Sequence, residues 1–185
     1  MLTALYSFIY HRILGWKLIG SFPKNLKKYV IIAVPHTSWH DFYMGLLIRR
    51  IEGLSINFVG KKELFKGPFG WYFKKVGGVP IDRTGGLNKV DAIAALFDKY
   101  EEFRLTLAPE GTRERVKEWK TGFYYIAKKA KVPIVMITFD FGRKQNVISE
   151  PFWPTHDVEE DFASMYRFFQ GVVGKVPEKS FIPPL

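Results

Sequence analysis

The run Pro35-His36-Thr37-Ser38-Trp39-His40-Asp41 places a histidine five residues before an aspartate. These are the parts of a general base and its orienting carboxylate. The carboxylate fixes the imidazole tautomer and stabilises the imidazolium formed when the ring takes a proton. Five positions do not align on a straight helix, so the pairing requires His36 on a loop folded back over an Asp41 in the first helical turn. The competing reading is a helix start, with Thr37 or Ser38 as cap, Asp41 complementing the dipole and His36 incidental. His36 and His40 also have the i, i+4 spacing of a metal pair, but the glutamate of a zinc protease does not follow His36. No metal is expected.

Two further polar runs follow short apolar stretches. In Pro109-Glu110-Gly111-Thr112-Arg113, the glycine lets the backbone turn tightly and approach an anion, and Arg113 supplies a fork for phosphate or carboxylate. The alternative is an ordinary surface turn with Glu110 in an ion pair. In Gly77-Gly78-Val79-Pro80-Ile81-Asp82-Arg83, Arg83 is a second phosphate-ligand candidate, or else the partner of Asp82. Between these runs, the stretch Lys61 to Lys75 sets Lys61 and Lys62 at one end and Lys74 and Lys75 at the other, around Phe65, Phe69, Trp71, Tyr72 and Phe73. Such a mixture suits an anionic bilayer, phosphates or RNA. Its alternative is a helix with aromatics packed inward and lysines merely solvated.

These runs must be positioned by the elements between them. Val30–Val34 reads as a buried strand, His40–Ile51 as a helix, Ile56–Val59 as a strand, and the stretch reaching Lys75 as partly helical. Val79–Ile81 is a short strand whose proline predicts an edge or strand end. Asn88–Phe103 is an amphipathic helix with Val90, Ile93, Ala94, Leu96 and Phe97 inward and Asn88 as a cap. Leu105–Leu107, Gly122–Lys131 and Ile134–Phe139 complete a strand, a helix and a strand. Strands alternating with helices predict an α/β fold: one domain over residues 1–185, a mostly parallel central sheet flanked by helices, and an apolar N-terminal helix over Leu2–Leu14. That helix either docks on the core or lies on a membrane. Ligand sites in such sheets gather beyond the carboxyl ends of the strands, where all three polar runs fall.

Composition narrows the function classes. The chain has 185 residues, no cysteine and a formal net charge of +10. Without cysteine there are no disulfides, no thiolate nucleophile and no thiolate zinc site. The positive charge points to an anionic partner, namely nucleic acid, an anionic membrane or an acidic substrate, and aromatic residues at 17% suit a lipid interface. The longest apolar tract, Leu2–Tyr10, is too short to span a bilayer and lacks the flanks of a signal peptide. The expected location is cytoplasmic, peripheral to the inner face of the cytoplasmic membrane.

The ordered set from His36 to Asp41, then Arg83, then Pro109 to Arg113, then Val132-Pro133-Ile134-Val135 resembles the glycerolipid acyltransferases, in particular the 1-acylglycerol-3-phosphate (lysophosphatidate) acyltransferase family. Lys61-Lys62-Glu63-Leu64 and Pro68-Phe69-Gly70-Trp71 are similar to that family's segment between its first two motifs. The resemblance covers Val30 to Phe139. Pro35, Ala108, Glu114 and Met136 stand where the family usually has asparagine, phenylalanine, serine and a second proline. The resemblance implies that His36 deprotonates the acceptor hydroxyl with Asp41 as its orienter, and that Arg83, Glu110, Gly111, Thr112 and Arg113 hold the glycerol phosphate. Lys61 and Lys62 are additional phosphate or donor contacts. An acyl group would pass from acyl-CoA or an acyl carrier protein to 1-acylglycerol-3-phosphate, giving phosphatidic acid for phospholipid biosynthesis, with no metal or redox cofactor. Backbone N–H groups near His36 or Gly111 are oxyanion candidates. The expected partners are a lysophospholipid, the acyl donor and an anionic membrane surface. The alternatives are another lysolipid acceptor, such as a lyso-ornithine lipid, or a non-catalytic basic module binding membrane or RNA. The usual RNA-binding signatures are missing, so no nucleic acid is expected.

Overall fold

The computed structural model describes residues 2–81 and 89–184. Strand β2 (Lys28–Val34) is buried on both faces, as a central strand of a parallel sheet must be. Its side chains alternate. Val30, Ile32 and Val34 enter one apolar cluster, and Tyr29 and Ile31 enter another on the opposite face. Five parallel strands build this sheet: β2, β3 (Asn57–Lys61), β4 (Gly78–Ile81), β5 (Phe103–Leu107) and β6 (Ile134–Thr138), in the order β4-β3-β5-β2-β6.

Helices cover both faces. On the first, α4 (Lys89–Lys99), α5 (Gly122–Ala130) and α6 (Val158–Phe168) supply Phe97, Tyr124 and Met165 to the core. Of the five residues expected on the inner face of α4, Val90, Ile93, Leu96 and Phe97 pack there, and Ala94 is buried. On the second face, α2 (His40–Glu52) contributes Met44 and Ile48. The expected α/β architecture with a mostly parallel sheet is therefore found, and the strand containing Pro80 is an edge strand with that proline exposed. A proline fits there because an edge leaves one side of the ladder unpaired.

Several boundaries differ from expectation. The helix expected to reach Phe103 stops at Lys99, because Phe103 is buried and paired with Lys28 as the first residue of β5. Asn88, its expected cap, lies outside the described residues. The run Lys61–Lys75 is not one helix. It contains the end of β3, a 3₁₀ turn (Lys62–Phe65) and a short helix α3 (Gly70–Lys75). Phe65 is buried, whereas Leu64, Phe69, Trp71 and Tyr72 are exposed, so neither an inward nor an outward assignment describes the whole run.

The N-terminal segment is an α-helix α1 (Leu2–Phe8) that continues as a π-helical turn (Ile9–Ile13) and packs on α2. Tyr10 anchors it. Its hydroxyl donates to Asn146 Oδ1 at 2.5 Å, and Asn146 Nδ2 donates to the Thr138 carbonyl at 2.5 Å. Leu5, Phe8 and Ile13 remain exposed. Two elements had no counterpart in the sequence reading beyond α6: β1 (Lys17–Ile19) and β7 (Gln145–Val147), which pair as a separate two-stranded parallel sheet. Residues just after β7 cover the outer edge of β6, with Ile148 bridging Ile137 and Phe152 bridging Ile134. Such cover protects an otherwise open edge.

Candidate active site

Because all five strands of the main sheet run parallel, the loops after β2, β3 and β5 open on one edge. The loop after β2 leaves through the cis Val34–Pro35 peptide and turns at His36 into α2. Asp41 is in the first turn of that helix, and its carboxylate points back at the loop. Oδ2 accepts three hydrogen bonds: from His36 Nδ1 at 3.0 Å, Thr37 N–H at 2.9 Å and Ser38 N–H at 3.0 Å. An ionised carboxylate only accepts, so the proton in the first bond is on Nδ1 and Nε2 keeps its lone pair. Asp41 is buried while the His36 side chain is 27% exposed, so the carboxylate is shielded and the imidazole is open. The helix-start reading holds only for Asp41: the cap position falls on Trp39, which makes no side-chain capping bond, rather than on Thr37 or Ser38, and His36 is engaged rather than incidental. The same Asp41 oxygen that ties down the loop N–H groups at the helix start also holds the imidazole.

His40 is used differently. Its Nδ1 lies 2.8 Å from Ser38 Oγ, and its ring contacts Trp39 and Tyr43.

The loop after β5 meets this one because β5 lies beside β2, with Leu107 opposite Ile32. Glu110 is buried at 2% exposure, and its Oε2 accepts the His36 backbone N–H at 2.7 Å. Burial pushes its carboxyl up from 4.5 to about 7. The His36 N–H and imidazole oppose that shift, and the Asp41 charge adds to it. Glu110 thus sits behind the histidine and supports its backbone, whereas Thr112 and Arg113 are exposed. Gly111 has φ +65°, and the Lys120 side chain crosses directly over it. A Cβ at Gly111 would come within 2.6 Å of Lys120 Nζ, so the glycine serves both the turn and this approach. Lys120 is a cation that sequence reading missed. The only available signal was its position eleven residues past Pro109, and its backbone N–H returns to the Pro109 carbonyl at 2.8 Å.

Thr112 Oγ1 accepts the Glu114 N–H at 3.3 Å, and Glu114 pairs with Lys179 at 2.6 Å. Arg113 makes no ion pair among the described residues. Arg83 lies outside the described residues, two positions beyond the end of β4. Lys61 ends β3 in register with Ile81, and the exposed Lys62 opens the 3₁₀ turn. Of the backbone N–H groups near His36 and Gly111, that of His36 is engaged by Glu110, those of Thr37 and Ser38 by Asp41, and that of Gly111 by the Ala108 carbonyl at 3.0 Å.

Behind the pair, an apolar cavity of about 180 Å³ runs between α2 and the sheet. His36 and Asp41 line it, as do Phe42, Gly45, Ile48, Phe58, Leu107 and Ile137, and Arg49 lies on its wall. Asp41 and Arg49 are eight residues apart on α2, about 12 Å along the helix. The Arg49 guanidinium is tied back, with Nη1 donating to the Val76 carbonyl at 2.5 Å and Nε to the Leu54 carbonyl at 3.3 Å. The sequence signalled this cavity only through Gly45, whose missing side chain leaves open space beside α2.

A parallel α/β sheet carrying a His–Asp pair and an apolar slot at one edge defines the class, and the chain belongs to the Acyltransferase family, whose model matches residues 18–140. It is 30% identical over 118 residues to the 1-acyl-sn-glycerol-3-phosphate acyltransferase of Streptococcus pneumoniae (strain ATCC BAA-255 / R6), covering 63% of this chain and 43% of that protein. It is 32% identical over 108 residues to the chloroplastic 1-acyl-sn-glycerol-3-phosphate acyltransferase BAT2 of Brassica napus, covering 56% of this chain and 30% of that protein. The chain thus spans less than half the length of these two curated relatives. The crystal structure of the 1-acyl-sn-glycerophosphate (LPA) acyltransferase PlsC from Thermotoga maritima superposes with a TM-score of 0.59 at 21% identity. That match covers 89% of this chain and 73% of the other, and it carries the fold.

Proposed function

We propose that this chain transfers a fatty acyl group from an acyl thioester, acyl-CoA or acyl carrier protein, to the free hydroxyl of 1-acylglycerol-3-phosphate. The product is phosphatidic acid. The observation that carries this reading is the placement of the His36–Asp41 pair on the wall of the apolar cavity. A base and a slot for a hydrocarbon chain then meet at one point.

In this mechanism His36 Nε2 takes the proton of the acceptor hydroxyl as its oxygen attacks the thioester carbonyl carbon. The tetrahedral intermediate collapses with cleavage of the C–S bond, and the imidazolium returns its proton to the departing thiolate. One ester and one thiol result, with no acyl-enzyme. Asp41 keeps Nδ1 protonated and stabilises the imidazolium. A positioned base of this kind contributes about 10²–10⁴ in rate. The cavity takes the acyl chain, where each buried methylene is worth about 0.8 kcal/mol. Arg113 and Arg83 hold the acceptor phosphate, with Gly111, Thr112, Lys61 and Lys62 around it, while Glu110 serves the site by holding the His36 backbone.

The lipid substrates place the protein at a membrane surface. No helix among the described residues is long and apolar enough to cross a membrane. Exposed Leu64, Phe69 and Trp71 stand among Lys66, Lys74 and Lys75, a combination that supports peripheral docking on an anionic bilayer.

The test is mass spectrometry of products formed from acyl donors and a panel of lysolipids. Phosphatidic acid formed from 1-acylglycerol-3-phosphate supports the assignment. Acylation of a lyso-ornithine lipid instead would move the acceptor, and the absence of acylation with every donor would overturn it.

A further inference from the structure

We propose that the C-terminal segment Gly174–Ser180 is a strap that sets the geometry of the catalytic loop, acting through Thr37 as a positioning residue for His36. This inference rests on the reading of His36 as the base. The strap lies outside residues 18–140, which the family model matches.

Thr37 is buried and held from both sides. Its backbone N–H donates to Asp41 Oδ2 at 2.9 Å, and its Oγ1 accepts the Val176 backbone N–H at 3.2 Å. One residue therefore links the carboxylate that orients the imidazole to a backbone 139 positions away. Gly174 makes the approach possible. A Cβ there would stand 2.7 Å from both Thr37 Cγ2 and Oγ1 and 3.0 Å from Pro35 Cγ, too close for any side chain to fit without displacing the loop.

The strap is itself fixed at points away from the loop. Gly174 N–H donates to Ser180 Oγ at 2.9 Å, and Phe141 N–H donates to the Val173 carbonyl at 2.8 Å. Lys179 pairs with Glu114 at 2.6 Å, and the buried Phe181 packs 5.0 Å from the Trp119 ring. These contacts tie the strap to the loops after β6 and β5. The carboxylate accepts from three donors on consecutive residues, so a displacement of Thr37 moves all three bonds together. Small misplacements of a catalytic group are costly in rate even where binding survives.

The experiment compares Thr37→Val, Thr37→Ser and Gly174→Ala in the full chain with acyl-CoA and 1-acylglycerol-3-phosphate as substrates. Thr37→Val preserves shape and removes the acceptor for the Val176 N–H. The expected result is a kcat lower by about tenfold with both KM values within about twofold, and recovery in Thr37→Ser, which keeps the hydroxyl. Gly174→Ala is expected to reproduce the kcat loss by pushing the loop from the other side. The second readout is independent of turnover: ¹⁵N NMR of the His36 ring, which reports a single Nδ1–H tautomer in the parent and a tautomer mixture in Thr37→Val. Should Thr37→Val fail to fold, Gly174→Ala carries both readouts. Parent kcat together with a parent His36 spectrum in a folded Thr37→Val or Gly174→Ala overturns the inference. If His36→Ala turns over normally while the Thr37→Val spectrum changes, the assignment of His36 as base fails and the strap's positioning role stands.

Discussion

The backbone N–H of His36 donates to the carboxylate of Glu110 at 2.7 Å across 74 residues of chain, so the loop bearing His36 and the loop bearing the Pro-Glu-Gly turn form one unit. Glu110 meets the histidine's backbone, while Asp41 meets its ring. The two carboxylates therefore have different tasks, one placing the residue and the other setting its tautomer.

Glu110 makes stability depend on pH. Its folded-state carboxyl is raised from 4.5 to about 7, so the folded chain holds that proton more tightly than the unfolded chain. Its contribution to stability therefore falls as pH rises from about 4.5 to about 7, by on the order of 3 kcal/mol in total. Glu110→Gln keeps an acceptor for the His36 N–H without the charge. Urea unfolding at pH 5 and pH 8 should show the variant gaining on the parent at the higher pH by up to that amount. A pH-independent difference between the two would contradict this.

His36→Ala should lower acyl transfer by about 10²–10⁴ with the fold intact, since a hydroxyl is a poor nucleophile without its base. Asp41→Ala should cost less, because a histidine without its orienter keeps some basicity. Thiol release from acyl-CoA gives the rates and circular dichroism checks the fold. Parent-level turnover in a folded His36→Ala would refute the mechanism.

Gly45 separates chain length from stability. A Cβ there meets nothing within 4 Å, so Gly45→Ala should stabilise α2 by about 0.5–1 kcal/mol. Gly45→Leu should fill part of the cavity and shift preference to shorter acyl chains. Each excluded methylene is worth about 0.8 kcal/mol, or roughly fourfold in kcat/KM. Kinetics over a series of acyl-CoA lengths provide the check, and an unchanged length profile would mean the chain binds elsewhere.

Arg113→Lys and Arg83→Lys test phosphate recognition. Lysine keeps the charge and loses the bidentate fork. A charge-assisted hydrogen bond is worth about 1.5–3 kcal/mol, so kcat/KM should fall roughly ten- to a hundredfold with 1-acylglycerol-3-phosphate and little with a phosphate-free lysolipid. Equal losses on both acceptors would remove these arginines from the phosphate site.

Trp71→Ala combined with Phe69→Ala should weaken flotation with anionic vesicles while leaving the thermal midpoint nearly unchanged, because both side chains are exposed. Raising the salt should weaken the parent's binding through its lysines. Undiminished flotation of the double variant would place the membrane contact elsewhere, for which exposed Leu5, Phe8 and Ile13 of the N-terminal segment are the next surface to test.

Local pattern by itself determined the alternation of strands and helices and the inward face of α4, and it narrowed Pro80 to an edge or strand end and Asp41 to a partner for His36 or a plain helix start. Those are short-range matters: side-chain period, missing backbone donors, and a loop-to-helix turn of five residues. Tertiary structure alone decided that Glu110 stands behind His36, because that contact depends on β5 lying beside β2, and strand order is set by packing between segments far apart in the chain. It also decided the split of the Lys61–Lys75 run into buried and exposed aromatics, since burial there depends on what the sheet leaves uncovered. The strap through Gly174 and Val176 carries no motif. Its role comes from two backbone groups and a missing Cβ, and such groups have no signature until the fold brings them against Thr37.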